Sequence, residues 1–184
     1  DFRDGDTTRT IAIGTYGLGA QGAWALDLTD LSNVTATTSA AASHVLWELN
    51  GNRGTEQRYL GYIMNAPAIM SANVDGVTRQ VAIFGNGYNS SEADGNADSA
   101  GEGVLLVVDV LRGQIIKTLR TGQGIAQDPI PGALRPNSVT EPVIADSDLD
   151  GIGDALYAGD LFGNVWKVDI ANKSVFDWEY DTGS

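Results

Sequence analysis

The sequence predicts an all-β chain made of repeated, four-stranded antiparallel units, and three observations lead to this fold class. A segment of the chain repeats, short segments rich in β-branched and aromatic residues recur within the repeat, and Gly, Asn, Asp and Ser separate them. Such segments are typical of strands joined by turns. Units of this kind that stack face to face form the blades of a β-propeller, so we predict about three antiparallel β-propeller blades.

The repeat is clearest in residues 67–76 and 142–151, which align without a gap from position 67 to position 142. Both segments begin with Pro and a short apolar stretch, and both end with Asp-Gly. Residues 8–13 match residues 78–83 in residue class, which indicates an incomplete upstream copy. We therefore expect a fragment of a larger propeller that begins inside a repeat, because uncovered blade faces and sheet edges favour aggregation.

Two further strands complete each predicted unit. Residues 25–28, 107–110 and 167–170 share an apolar-Asp-apolar pattern, and residues 45–49, 115–119 and 175–180 form the last strand. The predicted units within the domain 1–184 are a partial blade over 1–50, a second blade over about 62–122 and a third over about 138–184. Together they contain roughly eleven strands.

The composition excludes several classes of function. Asp and Glu number 24 against 11 Lys and Arg, and the formal net charge of −13 argues against binding the phosphate backbone of a nucleic acid. With no cysteine and one histidine, disulfides, thiolate nucleophiles and Cys/His zinc sites are excluded. No apolar run is long enough for a transmembrane helix. Cationic ligands or partners, and a metal site built from oxygen donors, remain open.

One loop carries the pattern of a calcium site, D-x-D-x-D-G-x-x-D. Its members are Asp146, Asp148, Asp150, Gly151, Ile152 and Asp154. In such a loop the Asp side chains at positions 1, 3 and 5 turn inward, Gly at position 6 allows a sharp turn, and position 7 offers its carbonyl. The Asp at position 9 adds a fourth carboxylate, and this number of hard oxygen donors favours calcium over magnesium. The alternative is a solvated acidic turn that holds no ion.

The residues on either side of this loop are predicted strands. Tyr157 stands at position 12, where a helix-loop-helix calcium site has a bidentate Glu. We therefore predict a calcium loop between two strands.

The earlier copy of the repeat provides an internal comparison. The same frame there holds Ser71, Asn73, Asp75, Gly76, Val77 and Arg79. The Asp-Gly turn is retained but the ligand set is lost, and Arg79 replaces Asp154, where its cation can take the place of a metal ion. Positions 1, 3, 5 and 9 of another acidic segment hold Asp94, Asn96, Asp98 and Glu102, without the Gly. We predict one ion, and whether these four residues hold a second stays open.

Other motifs are not expected to carry chemistry. Residues 17–22 match G-x-G-x-x-G, but a strand-like segment follows where a dinucleotide site needs a helix, so we predict a hairpin turn. His44 has no nucleophile setting and is expected to be an ordinary polar residue near a strand start. The four Trp residues are expected to pack between blades.

With these features in place, the chain resembles the C-terminal β-propeller of the PilY family of type IV pilus biogenesis and pilus-tip proteins. The resemblance is carried by residues 17–29, 81–90, 146–154 and 157–169, of which VAIFGNGYNS and YAGDLFGNVWKVD are quite specific. It implies a seven-bladed propeller with quinoprotein-like blades, of which this chain is a part.

The resemblance also implies a non-enzymatic protein of type IV pilus biogenesis. In the family the matching loop binds calcium, which assigns Asp146, Asp148, Asp150, Ile152 and Asp154 as ligands. Its occupancy is linked to the balance of pilus extension and retraction, and so to twitching motility and surface attachment. The implied partners are pilins or minor pilins, together with a host or abiotic surface. The implied location, after export across the inner membrane, is the periplasm, the outer membrane or the pilus tip at the cell surface.

Two other classes of protein stay open. A quinone-cofactor dehydrogenase has similar repeats, but it needs a closed propeller with a catalytic carboxylate beside a calcium-bound cofactor. An extracellular calcium-blade adhesion module uses the same motif, usually in several blades, whereas one copy is intact here.

Overall fold

The structure is a computed structural model that describes residues 1–32, 41–50, 56–90, 100–149 and 152–181. These residues form twelve strands, which confirms the prediction of an all-β chain. The strands are β1 (Phe2–Asp4), β2 (Thr7–Arg9), β3 (Ile11–Thr15), β4 (Gly22–Asp27), β5 (Val45–Asn50), β6 (Ala68–Val74), β7 (Val77–Gly85), β8 (Val104–Asp109), β9 (Ile115–Arg120), β10 (Val143–Ala145), β11 (Ala155–Gly159) and β12 (Val165–Asp169). Short 3-10 turns lie at Glu56–Tyr59, Ile125–Gln127 and Val175–Asp177. Within the described ranges, no helix has the length and apolar character needed to cross a membrane.

The strands form three main sheets in chain order. The first sheet is β3-β4-β5, the second sheet is β6-β7-β8-β9 and the third sheet is β10-β11-β12, while β1 and β2 form a separate hairpin. Within each sheet, strands that follow one another in the chain pair with each other and run antiparallel. The unit boundaries assigned from the sequence stay a prediction.

The second sheet packs against the first sheet on one face and against the third sheet on the other. Successive side chains of a strand point to opposite faces. On β7, Val81 and Ile83 belong to the core shared with the third sheet, whereas Ala82 and Phe84 belong to the core shared with the first. All four are buried. The part of a strand that is covered on both faces needs apolar residues at successive positions, which explains the apolar runs over residues 81–85 of β7 and 104–108 of β8.

Two of the four Trp residues pack between sheets as predicted. Trp47 lies in the core between the first and second sheets, and its indole Nε1 donates to the carbonyl of Val110 over 2.7 Å. Trp178 lies in the core between the second and third sheets. Trp166 instead packs beside Tyr180, with ring centroids 5.0 Å apart.

The third sheet has three strands where four were predicted. Residues 175–180 begin with the 3-10 turn, in which the Ser174 hydroxyl accepts a hydrogen bond from the backbone N–H of Phe176. Only Tyr180 then pairs with the sheet, through one bridge to Val168. The turn buries Val175 in the core against the second sheet, and this tertiary contact outweighs the strand propensity of the segment.

One buried amide connects the second sheet to the segment that leads into the third. Asn86 has 0% exposure, and its Nδ2 donates to the carbonyl of Glu102 over 3.0 Å. Its Oδ1 accepts from the backbone N–H groups of Val104, at 3.2 Å, and Val139, at 3.0 Å. Because Val139 precedes β10, this amide helps to position the third sheet and the acidic loop that it carries.

Candidate metal centre

The acidic loop predicted to bind calcium joins β10 to β11. The ladder between these strands ends at the pair formed by Ala145 and Ala155. The backbone N–H of Asp154 still donates to the carbonyl of Ala145 over 2.7 Å, which closes the base of the loop. The site is therefore held between two antiparallel strands, as predicted.

Three of the predicted ligands come together in this loop. Asp146, Asp148 and Asp154 each offer a carboxylate oxygen, and these oxygens lie within 4.8 Å of one another. Within the described residues, this is the only such group of three or more acidic, His or Cys side chains. Carboxylates this close repel one another unless a cation or hydrogen-bond donors offset their charge. Oxygen donors of this kind suit a hard cation such as calcium.

The other two predicted ligands are not placed with these three. Asp150 lies outside the described residues, as does the neighbouring Gly151. Ile152 is in the loop with its side chain 62% exposed, and only its backbone carbonyl was predicted to bind the ion. The participation of Asp150 and of the Ile152 carbonyl stays a prediction.

Asp154 is anchored through both its backbone and its carboxylate. Its backbone carbonyl accepts from the N–H groups of Ile170, at 2.9 Å, and Ala171, at 3.0 Å. Its carboxylate Oδ2 accepts from the backbone N–H of Ser147 over 2.7 Å and from the Ser147 hydroxyl. These hydrogen bonds, the hydroxyl first, lower the pKa of Asp154 below its ordinary value, with a further contribution from the backbone N–H of Asp148. Sequence reasoning missed Ser147, because the motif leaves position 2 unspecified.

The chain reverses direction within the loop at an exposed residue. Leu149 has a positive φ of 63°, a region that residues with a side chain seldom adopt, and it is 86% exposed. Its side chain therefore contributes little packing, and the conformation is set by the loop as a whole. Beside the loop runs a groove of about 530 Å³, with β6 along one wall and Asp146 and Ile152 among the residues of the other.

The corresponding segment of the second sheet has the same length but a different structure. There β6 and β7 remain paired up to Val74 and Val77, and the turn consists of Asp75 and Gly76, both with positive φ. Ala72 and Val74 are buried in the core. The equivalent residues of the acidic loop, Ser147 and Leu149, are exposed. In the second sheet, apolar side chains that reach the core thus extend the strand pairing as far as the turn. In the third sheet, the side chains at the equivalent positions are exposed, and the pairing ends earlier.

Arg79 does not occupy the place of a metal ion in the second sheet. Its guanidinium Nη1 donates to Oδ2 of Asp109 over 3.1 Å. Asp109 is 1% exposed and also accepts from Arg112, so this buried carboxylate attracts the guanidinium across the sheet. The prediction that Arg79 provides a substitute cation at the lost site is corrected accordingly.

The second acidic segment falls largely outside the described residues. Asp94, Asn96 and Asp98 lie there, so their part in a second site stays untested. Glu102 is described and is 4% exposed. Its carboxylate accepts from Arg120 Nε over 2.8 Å and from the backbone N–H of Gly122 over 2.5 Å, so this side chain serves an internal ion pair.

The structure also places two sequence features that were not expected to form sites, residues 17–22 and His44. Residues 17–22 lie mostly in the hairpin connection between β3 and β4, as predicted, and no helix follows them in the described range 1–32. His44 directly precedes β5, and its Nδ1 lies 2.9 Å from the carbonyl oxygen of Asp27.

Nearly the whole chain can be aligned with the proteins of one family. The family model described as "PilY1 beta-propeller domain" matches residues 1–182. The chain is 33% identical over 171 residues to the type IV pilus biogenesis factor PilY1 of Pseudomonas aeruginosa strain UCBPP-PA14, and 32% identical over 171 residues to a homolog of that factor in Xylella fastidiosa. Each alignment covers 92% of this chain, but only 12% and 10% of the respective relatives.

The fold is also similar to a solved structure. The crystal structure of the Pseudomonas aeruginosa PilY1 C-terminal domain matches with a TM-score of 0.65 at 27% identity. The match covers 94% of this chain and 32% of that chain. Together with the antiparallel sheets, it confirms the predicted fold class of β-propeller blades.

Proposed function

The chain belongs to the family of PilY1 β-propeller domains, and from that premise we propose that it is a calcium-binding, non-enzymatic part of a type IV pilus biogenesis protein. Its relatives in Pseudomonas aeruginosa and Xylella fastidiosa are described as type IV pilus biogenesis factors or their homologs. Because the chain spans about a tenth of their length, the role of the complete protein is part of this proposal.

The observation that carries the calcium proposal is the convergence of three carboxylates in one interstrand loop. Carboxylate oxygens of Asp146, Asp148 and Asp154 lie within 4.8 Å of one another. Their chemistry fits calcium, which prefers several oxygen ligands from a flexible loop. The proposed ligands are these three carboxylates, the carboxylate of Asp150 and the backbone carbonyl of Ile152.

The proposed ion would join residues that lie at different places relative to the β10–β11 ladder. Asp154 is attached to the third sheet through its own backbone hydrogen bonds to Ala145, Ile170 and Ala171. Asp146 and Asp148 lie beyond the end of the β10–β11 ladder. Calcium, when bound, supplies the positive charge that offsets the repulsion among these groups. One ion would then be shared by the three carboxylates, and the loop would become a more rigid part of the surface.

We assign a regulatory role to this rigid surface. The three predicted units, 1–50, 62–122 and 138–184, act as part of a propeller that contacts pilus components, namely pilins or minor pilins, and through them a host or abiotic surface. Occupancy of the loop shifts the balance between pilus extension and retraction, and so affects twitching motility and adhesion. The proposed location is the periplasm, the outer membrane or the pilus tip at the cell surface.

Calcium titration calorimetry on the chelator-stripped chain tests the site directly. We expect one calcium ion per chain and little response to magnesium. A ligand that binds only the folded state adds about 2.7 kcal/mol of stability at one hundred times its Kd. For a chain of this size that corresponds to a rise in Tm of roughly 5–11 °C.

Two variants and a matched control distinguish the loss of a calcium ligand from the general effect of removing a negative charge. Asp148→Ala and Asp154→Ala each remove a proposed ligand, and we expect both to abolish the rise in Tm. Asp6→Ala removes an exposed carboxylate from the turn between β1 and β2 and should leave the calcium response unchanged. Calcium binding by either loop variant with the parent's affinity would refute the ligand assignment.

The pilus role is tested in the complete protein. Asp148→Ala in a pilus-bearing cell is expected to change twitching motility while the protein is still made and exported, and Asp6→Ala is expected to leave motility unchanged. Unaltered motility with a loop that no longer binds calcium would contradict the regulatory role and leave the metal site standing.

A further inference from the structure

Ser147 lies between two of the proposed ligands and contacts a third. We propose that Ser147 is a positioning residue of the calcium loop, which orients the carboxylate of Asp154 and offsets its charge before the ion arrives. This inference rests on the proposed calcium function and assigns a role to a residue that the calcium motif leaves unspecified.

The geometry of Ser147 and Asp154 supports this role. Two donors of Ser147, the backbone N–H at 2.7 Å and the hydroxyl, reach the same carboxylate oxygen, Oδ2 of Asp154. Two donors on one oxygen fix the rotation of the carboxylate, and therefore the direction in which the other oxygen faces. Because the backbone of Asp154 is hydrogen-bonded to the third sheet, both its backbone and its carboxylate are fixed in position.

The repeat shows that this contact replaces a pair of the β-ladder. In the gapless frame, Ser147 corresponds to Ala72 and Asp154 corresponds to Arg79. Ala72 and Arg79 are direct cross-strand partners in the second sheet. In the third sheet the ladder has ended at Ala145, and the two equivalent positions are joined by the Ser147–Asp154 hydrogen bonds instead.

The two copies also differ in chemistry at these positions. Ala72 has no hydroxyl, and the guanidinium of Arg79 is bound to Asp109. The hydroxyl donor and its carboxylate acceptor thus occur together in the third sheet, which carries the ligand set. Neither occurs at the equivalent positions of the second sheet, which lacks the ligand set. The Ser147–Asp154 hydrogen bonds are therefore specific to the copy that carries the acidic ligand set.

The side chain of Ser147 is exposed, so its removal leaves no cavity in the core. Residues that orient metal ligands typically change metal affinity by 10–100-fold when they are replaced. Ser147→Ala keeps the backbone donor and loses only the hydroxyl. We therefore expect the lower end of that range, a calcium affinity about 10-fold weaker.

Calorimetric calcium titration of four chains tests the inference: the parent, Ser147→Ala, Ser147→Thr and Ser174→Ala. Ser147→Thr keeps the hydroxyl and should recover most of the affinity. Ser174→Ala removes a hydroxyl that accepts from the backbone N–H of Phe176 in the 3-10 turn, and it should lower the stability of the chelated chain without weakening calcium binding. Urea unfolding in chelator measures that stability for all four chains.

The outcomes distinguish this inference from the proposed function on which it rests. If Ser147→Ala binds calcium as tightly as the parent while Asp154→Ala does not bind it, the positioning role is overturned and the metal site stands. Equal weakening by Ser174→Ala would attribute the effect to general stability, which also overturns the role. A parent chain that binds no calcium overturns both proposals.

Discussion

Replacement of Asn86 by alanine tests how strongly a single buried amide holds the second sheet to the segment before the third. The side chain is fully buried and makes three hydrogen bonds, of 3.0, 3.2 and 3.0 Å. In Asn86→Ala, the N–H groups of Val104 and Val139 and the carbonyl of Glu102 lose these partners. A buried polar group left without a partner costs about 1–3 kcal/mol.

Three such groups in one place lead to an expected loss of about 3–9 kcal/mol in the free energy of unfolding. That loss is a large part of the roughly 5–15 kcal/mol that stabilises a typical domain. The Asn86→Ala substitution should also weaken the attachment of the third sheet to the second, because Val139 directly precedes the chain segment that enters β10.

Urea unfolding followed by Trp fluorescence measures this loss, since Trp47 and Trp178 lie in the two inter-sheet cores. Asn164→Ala is the matched control. Asn164 is exposed, and its amide donates to Asp160, so its removal should cost no more than about 1 kcal/mol. An Asn86→Ala chain within about 1 kcal/mol of the parent would refute the reasoning, because at least one of the three groups must then have found a partner that the structure does not provide.

Two further predictions concern packing and pH. In Gly85→Ala, the new Cβ would lie 2.2 Å from the carbonyl oxygens of both Val139 and Thr140, so we expect a loss of about 1–3 kcal/mol or more in urea unfolding. Gly159→Ala is the control, since its Cβ would meet nothing closer than 3.9 Å; equal losses in the two variants would contradict the steric argument. Burial alone raises the pKa of Asp160, but hydrogen bonds from Asn137, Asn164 and Trp166 outweigh it, and the pKa lies below the ordinary value of 3.8. The stability that Asp160 contributes is therefore present above pH 3.8 and is lost as the pH falls through the lowered pKa. Asp160→Asn should flatten the dependence of the urea midpoint on pH in this acidic range, and an unchanged dependence would show that other carboxylates control it.

The strand content of the fold was predictable because it depends on local patterns. The apolar-Asp-apolar pattern predicted strands at residues 25–28, 107–110 and 167–170, and β4, β8 and β12 cover most of these residues. The connection over residues 17–22 was likewise predicted as a turn and joins β3 to β4. In both cases the residues that specify the element lie within the element or at its ends.

The segment 175–180 shows where this reasoning fails. Its β-branched and aromatic residues favour a strand, yet it begins with a 3-10 turn after Ser174. Val175 and Trp178 from this segment are buried against residues of the second sheet. Residues far away in the chain decide this conformation, so no local pattern could reveal it.

The strands, and the spacing of the carboxylates in the acidic loop, could be read from local patterns, because each depends on residues close together in the chain. The ion pair between Arg79 and Asp109, and the hydrogen bonds from Ser147 to Asp154, could be seen only in the folded chain. Those contacts depend on where a β-ladder ends and on which buried charge lies within reach. The end of the ladder and the position of the buried charge are both set when the sheets pack, because side chains from separate strands then compete for the same hydrogen-bond and ion-pair partners.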